Sequence, residues 1–326
     1  MMKIFETKFA GLTLPNPIMV ASSGLTGTAD KNKELEKAGA GALVLKSLFE
    51  EQMSKKSASL LLNNDYPEEG ESVLNYFKTN EVNNYLNLIQ DSKNRCTIPI
   101  VASINCHKDD SWMDFAHQIE RAGADAIELN ILALNTDIFL TQDSLEETYI
   151  RITQKVKEVV NIPVIIKMGK YFSHIVSLVN CLHQAGADGV VLFNRFYQPD
   201  IDIVKLQMTS GNVFSSSADI SDTLRWAGII TGRLPETSVA ACTGVHDWED
   251  IVKCILSGVS AVQICSTLYQ NGNEIIEAIK RGMEEWMLGM NFHSIDAFKG
   301  KLNYTQVEDP SLYERAQFMK YFSNRD

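Results

Sequence analysis

Short apolar runs, each followed by a stretch of amphipathic period, recur along almost the whole chain. Runs at residues 17–21 (PIMVA), 42–45, 98–104 (IPIVASI), 126–129, 164–166, 189–193, 239–242 and 260–264 read as strands. They are continuous rather than alternating, which suits strands covered on both faces. Between them a 3.6-residue period predicts helices at 30–38, 81–94, 110–122, 144–160, 174–185 and 222–232. Another runs from about His246 to Ser257, and Cys265-Ser266 opens a last long one. About eight strand/helix alternations predict an α/β fold, a parallel (β/α)8 TIM barrel, with a doubly wound sheet as second choice.

Repetition sharpens this expectation. EKAGAGALVLK, ERAGADAIELN, HQAGADGVVLF and ILSGVSAVQIC all order helix end, glycine, small residue and buried strand, with the glycine as helix stop. Residues 3–14 alternate around Gly11, a hairpin that could plug the bottom of a barrel. Residues 49–76 lose all period, and a connection that long is usually functional or mobile. A small β insertion is expected at 201–217. No Pro/Gly/Ser-rich linker divides the chain, so residues 1–326 read as one domain.

Residues 237–272 contain two strand-to-helix turns built of small residues, Thr243-Gly244 and Cys265-Ser266. Backbone N–H groups at such turns converge on anions, and the last two strands of a (β/α)8 barrel often carry a phosphate site. Two ordinary βα turns would read the same way.

Composition removes several function classes. The formal net charge of -11 argues against nucleic acid or an anionic membrane surface as partner. No apolar run is long enough to span a bilayer, and MMKIFETKF lacks a signal-peptide pattern, so a cytoplasmic protein is expected. Six cysteines without a CxxC pair disfavour a disulfide scaffold, a zinc site or an iron–sulfur cluster. The histidines lack metal-ligand spacing and read as surface or capping residues; no metal is expected.

The polar groups that end the strands are Ser22, Ser23, Lys46, Ser103, Asn105, Asn130, Asn135, Lys167, Asn194, Thr243 and Ser266. In a barrel they converge on one mouth. Lys46 and Lys167 are the informative pair, because a lysine ending an apolar strand is costly unless neutralised. Together they point to a ligand of anionic character.

With these residues in place the chain resembles the class 1 dihydroorotate dehydrogenases, FMN-dependent (β/α)8 barrels of pyrimidine biosynthesis. The likeness runs through NPIMVASSG, LVLKS, AIELN, PVIIKMGKYF, GVSAVQICSTLYQNG and SIDAFKGKL, over nearly the full length. It implies an FMN-binding oxidoreductase acting on a CH–CH bond of a small pyrimidine-type substrate, and a homodimer. Ala21 and Ser22 would line the flavin ring, with Lys46-Ser47 beside it and Lys167 near its N1 side. The Thr243-Gly244 and Cys265-Ser266 turns would hold the phosphate. Asn130 would bind flavin or substrate, and Asn135, Asn194 and Arg195 would face the substrate.

Departures from the family pattern fall on the substrate side. Where the family reads N-L-S-C-P-N, with Cys as the base, this chain reads Asn130-Ile131-Leu132-Ala133-Leu134-Asn135. Alanine takes no proton, and loss of a positioned base costs ~10²–10⁴-fold. The family's N-S-M-G-L-P-N loop has no clear counterpart at 72–80, and the Ser after the substrate Asn is Arg195. Cys106, Lys170, Tyr171 and His174 are the groups near the mouth that could stand in. The sequence supports a flavin oxidoreductase with a rewritten substrate site first. Its rivals are a non-catalytic flavin-binding homologue and a lyase or isomerase using Lys167 as a Schiff base.

Overall fold

The computed structural model describes residues 4–51, 70–106, 109–131, 136, 138 and 144–314. Ala133, Asn135, His107 and most of the 49–76 connection lie outside the described residues.

Eight parallel strands close into a barrel. In chain order they are β3 (Ile18–Val20), β4 (Ala42–Val44), β6 (Ile100–Asn105), β7 (Ala126–Asn130), β8 (Val164–Met168), β9 (Gly189–Leu192), β12 (Val239–Cys242) and β13 (Ala261–Ile264). Each pairs in parallel with the next, and β13 pairs with β3 to close the ring. The predicted TIM barrel is therefore the observed fold. A short strand β5 (Leu48–Phe49) also pairs with β6, in the slot β4 has just left. The second barrel strand is thus split at residues 45–47, where Ser47 turns to bond with neighbouring strands.

The interior is layered. Met19, Val44, Val101, Ala126, Ile165, Val191, Ala240 and Ala261, drawn from all eight strands, pack into one fully buried apolar cluster. Below it sits the predicted hairpin, β1 (Thr7–Phe9) and β2 (Leu12–Leu14), with Phe9, Ala10 and Leu14 packed into the same cluster. Thr7 Oγ1 donates to the Ser260 carbonyl at 3.0 Å, and the Ala10 N–H to Ser238 Oγ at 2.9 Å. The hairpin thereby closes the N-terminal ends of β12 and β13. The opposite mouth stays open.

Three expected elements differ. The helix expected at 81–94 runs over Gly70–Arg95, so its first turns occupy the end of the stretch read as a long connection. The last helix begins as Ser266–Asn271, stops at Gly272, whose φ of +79° no ordinary helical residue adopts, and resumes as Ile275–Gly289. The helix expected from His246 starts at Trp248, because Asp247 caps it by accepting from the Asp250 N–H. The insertion is a hairpin, β10 (Pro199–Asp202) and β11 (Gln207–Ser210). Among the described residues no helix is long and apolar enough to cross a membrane.

The repeated phrases also carry a repeated staple. Glu36 Oε1 accepts from the N–H groups of Thr97 and Ile98, just before β6; Glu120 Oε1 accepts from Asn161 and Ile162, just before β8. Asp125 and Asp188 likewise take the first N–H of β6 and β8. These carboxylates tie neighbouring repeats at the closed end of the barrel. Burial pushes the Glu36 carboxyl up, but bonds from Lys33, Thr97 and Ile98 outweigh it and hold the carboxyl at about 2, against an ordinary 4.5. A depressed carboxylate adds stability above its unfolded pKa, lost as pH falls through the folded one. Glu36→Gln is expected to cost roughly 2–3 kcal/mol at pH 7. Urea unfolding should show that gap narrowing between pH 5 and pH 2; a gap constant with pH would sink the assignment.

Candidate active site

Above the apolar layer the barrel interior turns polar, and the strand period dictates which residues take part. Alternate residues of a strand face the same side, so Ala126 and Glu128, Ile165 and Lys167, and Ala261 and Gln263 share the inward face. Glu128 is wholly buried, Gln263 is 1% exposed and Lys167 is 5% exposed. Gln263 joins the other two: its Oε1 accepts from Lys167 Nζ at 2.8 Å and its Nε2 donates to Glu128 Oε2 at 2.5 Å. The Lys167 ammonium lies 3.5 Å from Glu128 Oε1, an atom with no hydrogen-bond partner of its own. Burial pushes the Lys167 pKa down, but the negative charge that Cys242, Glu128 and Cys265 can carry around it outweighs this and holds it above the ordinary lysine value. The barrel therefore presents a fixed ammonium to whatever lies above it.

Beside this triad runs a chain of hydroxyls. Ser22 Oγ meets Ser47 Oγ at 2.9 Å, and Ser47 Oγ meets Ser103 Oγ at 2.7 Å. Tyr85, buried behind them, accepts from the Ser103 N–H and donates to its carbonyl.

A cavity of about 330 Å³ opens over Lys167 and Gln263, within the range of ~300–1,000 Å³ usual for small-molecule sites. Ala21, Ser22, Lys167, Thr243, Gly244, Cys265 and Ser266 line it, with Asn194 and Arg195 at one side. These expected residues are brought together. Three others are placed differently. Lys46 is exposed, its stem against Gly27, and does not line the cavity. Ser47 and Asn130 stand one bond behind it, Ser47 on Ser22 and Asn130 accepting from Asn194 Nδ2 at 2.7 Å.

The Thr243-Gly244 turn is strained. Both residues have positive φ, +75° and +83°, which for a β-branched threonine is a rare conformation. Thr243 Oγ1 holds it by donating to the Phe193 carbonyl at 2.9 Å. A Cβ on Gly244 would stand 2.2 Å from the Ile220 backbone nitrogen. Gly244→Ala should therefore cost about 3 kcal/mol or more. It should also distort the cavity wall, so thermal unfolding and ligand content should fall together; a wild-type melting curve would refute this.

Several functional neighbours escaped the sequence reading. The insertion forms a cavity wall through Phe196, Tyr197, Gln198 and residues 210–213. Arg195 is anchored there, donating to the Asn212 carbonyl at 2.9 Å and lying 3.5 Å from Asp219. Glu128 and Gln263 were visible as lone polar letters inside buried strands. His246, read as a surface or capping residue, is instead half-buried and bonded to Ser215, which lines the cavity. Of the possible stand-in bases, Cys106 is buried, which pushes its thiol well up, and His174 is exposed. Lys170 and Tyr171 line a second cavity of about 260 Å³ beyond residues 194–198.

Comparison with known proteins agrees with this arrangement. The family model for dihydroorotate dehydrogenase matches residues 4–287. The catalytic subunit of dihydroorotate dehydrogenase B (NAD(+)) from Thermoplasma acidophilum is 26% identical, over 90% of this chain and 97% of its own length. The corresponding subunit from Pyrococcus furiosus is 27% identical, over 89% and 96%. That from Methanothermobacter thermautotrophicus is 25% identical, over 91% and 98%. A closed barrel with its polar cavity at the strands' C-terminal ends, and a family match over most of its length, show that this chain belongs to the dihydroorotate dehydrogenase family.

Proposed function

We propose that residues 1–326 work as a single FMN-binding barrel that oxidises or reduces a CH–CH bond of a small, pyrimidine-type substrate. The observation that carries this reading is the buried, charged Lys167 at the cavity floor, fixed by Glu128 and Gln263. A fixed cation there stabilises negative charge on a ring above it, without reorganisation. Bound in the cavity, FMN would supply the hydride chemistry.

The chain's own residues fit that group. Ala21 and Ser22 offer a small, close wall, and Ser47 holds the Ser22 hydroxyl in place. The Thr243-Gly244 and Cys265-Ser266 turns offer donors at the phosphate end. One Nδ2 proton of Asn194 is spent on Asn130 Oδ1, so Asn194 keeps its carbonyl oxygen and its other amide proton, and Asn130 both of its amide protons. An acceptor and amide donors side by side match the edge of a pyrimidine imide. Arg195 adds charge on the same side. Asn135 belongs to this substrate face by family position, and Ala133 leaves the position of the base without a titratable group. A Schiff-base role for Lys167 asks for a neutral amine, the opposite of what its surroundings favour.

The absorption spectrum of the purified protein tests the cofactor, followed by identification of the chromophore that heat releases. Stoichiometric FMN supports the reading. A colourless protein that also refuses added FMN overturns it. Anaerobic dihydroorotate should then reduce the flavin slowly, and rapid full reduction would show that the substrate side is intact after all.

A second reading is favoured by Ala133, a flavin-binding homologue that turns nothing over. Multiple turnovers that vanish in Lys167→Ala would exclude it. A cytoplasmic homodimer is part of the main proposal. Ile201, Ile203, Val204, Leu206 and Met208 on the β10–β11 hairpin, 61–88% exposed, give such a dimer an apolar surface to cover.

A further inference from the structure

At the end of the cavity formed by the two small-residue turns, counting hydrogen bonds leaves the Ser266 hydroxyl proton unused. Ser266 Oγ accepts from the Ser215 N–H at 3.0 Å and from the Ser215 hydroxyl at 3.1 Å. A serine hydroxyl has two acceptor lone pairs and one proton. Both lone pairs of Ser266 are filled, so only its proton remains. Among the described residues no acceptor meets that proton, and Ser266 lines the cavity.

The same count fixes the direction of the next bond. Ser215 has given its own proton to Ser266, so the 3.0 Å contact between Ser215 Oγ and His246 Nε2 runs from the ring. The network assigns the proton to Nε2. Donation therefore passes one way, from His246 to Ser215 to Ser266 and out into the cavity, each bond polarising the next. The histidine is itself held on both sides. Its backbone N–H donates to Asp250 Oδ2 at 3.1 Å, and its backbone carbonyl accepts from Thr267 Oγ1 at 2.9 Å. Ser215 is 7% exposed, so water has little access to replace the ring as donor.

We infer that His246 is a positioning residue for a phosphate monoester: through Ser215 it aims the Ser266 hydroxyl at a phosphate oxygen. This rests on the FMN reading and adds a residue to it. Without the ring donor, the Ser215 hydroxyl is free to turn its own lone pairs elsewhere, and Ser266 loses its fixed orientation.

The test compares affinity for FMN with affinity for riboflavin, which has the same ring system and no phosphate, using apoprotein of the full chain. His246→Phe should lower the preference for FMN about tenfold while riboflavin affinity stays level, as expected for one bond to a charged group. His246→Gln, which keeps an N–H donor, should stay within about threefold of wild type. Ser215→Ala breaks the same chain at its middle. It should match His246→Phe, and combining the two should add nothing more. An unchanged FMN-to-riboflavin ratio in both single variants overturns the role of His246 and leaves the FMN reading standing. Equal weakening toward both flavins also overturns it. Wild-type protein that takes up neither flavin overturns the FMN reading itself.

Discussion

Lys167→Met is expected to cost about 3–5 kcal/mol of stability, the usual penalty for breaking a buried ion pair from one side. Glu128 is wholly buried, and its Oε1 has no hydrogen-bond donor, so the ammonium 3.5 Å away is what compensates it. Removing the lysine leaves an anion in the barrel interior. The same change removes the fixed charge under the ligand ring and should slow reduction of bound flavin about 10²-fold. The two effects separate in a second variant. Lys167→Met combined with Glu128→Gln removes both charges and should regain most of the lost stability while reduction stays slow. Urea unfolding and anaerobic single-turnover rates are the measurements. Wild-type stability in Lys167→Met would mean that the pair does not hold the floor of the site. A double variant with wild-type reduction would mean that Lys167 serves the fold alone.

Ala133→Cys is expected to speed anaerobic flavin reduction by dihydroorotate by ~10²–10⁴-fold, the contribution of a positioned general base. The expectation comes from the matched order of Asn130 to Asn135 against the family's loop, since position 133 lies outside the described residues. Asn130 is in place at the end of β7, next to Asn194. A base restored three residues later has an anchored starting point. No acceleration would assign the loss of dihydroorotate chemistry to Arg195 and the changed 72–80 segment, here part of the helix Gly70–Arg95, instead.

Much of the architecture was legible before any coordinates. Buried parallel strands write themselves as continuous apolar runs, and a helix that must stop before one writes a glycine. Both signals are local, and a chain repeating them about eight times has few ways to cover every strand on both faces. The plug hairpin was legible for the same reason: a two-residue period around Gly11 is a short-range pattern. So were the two small-residue turns, and with them most of the cavity residues that the family resemblance implied.

Partnership was not legible. Glu128 inside AIELN and Gln263 inside AVQI announced that something polar must meet them, because an unpaired polar group in a core is expensive. They gave no sign that the partners stand 135 and 96 residues apart along the chain. Lys46 was expected at the mouth, ending its strand, yet it is exposed and off the cavity lining, because the strand breaks at residues 45–47 to let Ser47 bond across to Ser22 and Ser103. His246 looked like a helix cap and became the head of a hydroxyl chain. The insertion read only as a short β element and became a cavity wall. The sequence alone thus determined the barrel, its closed end and its two small-residue turns, all written by local period and backbone sterics. Ring closure decided the rest, since only closing β13 onto β3 sets the inward faces of distant strands side by side.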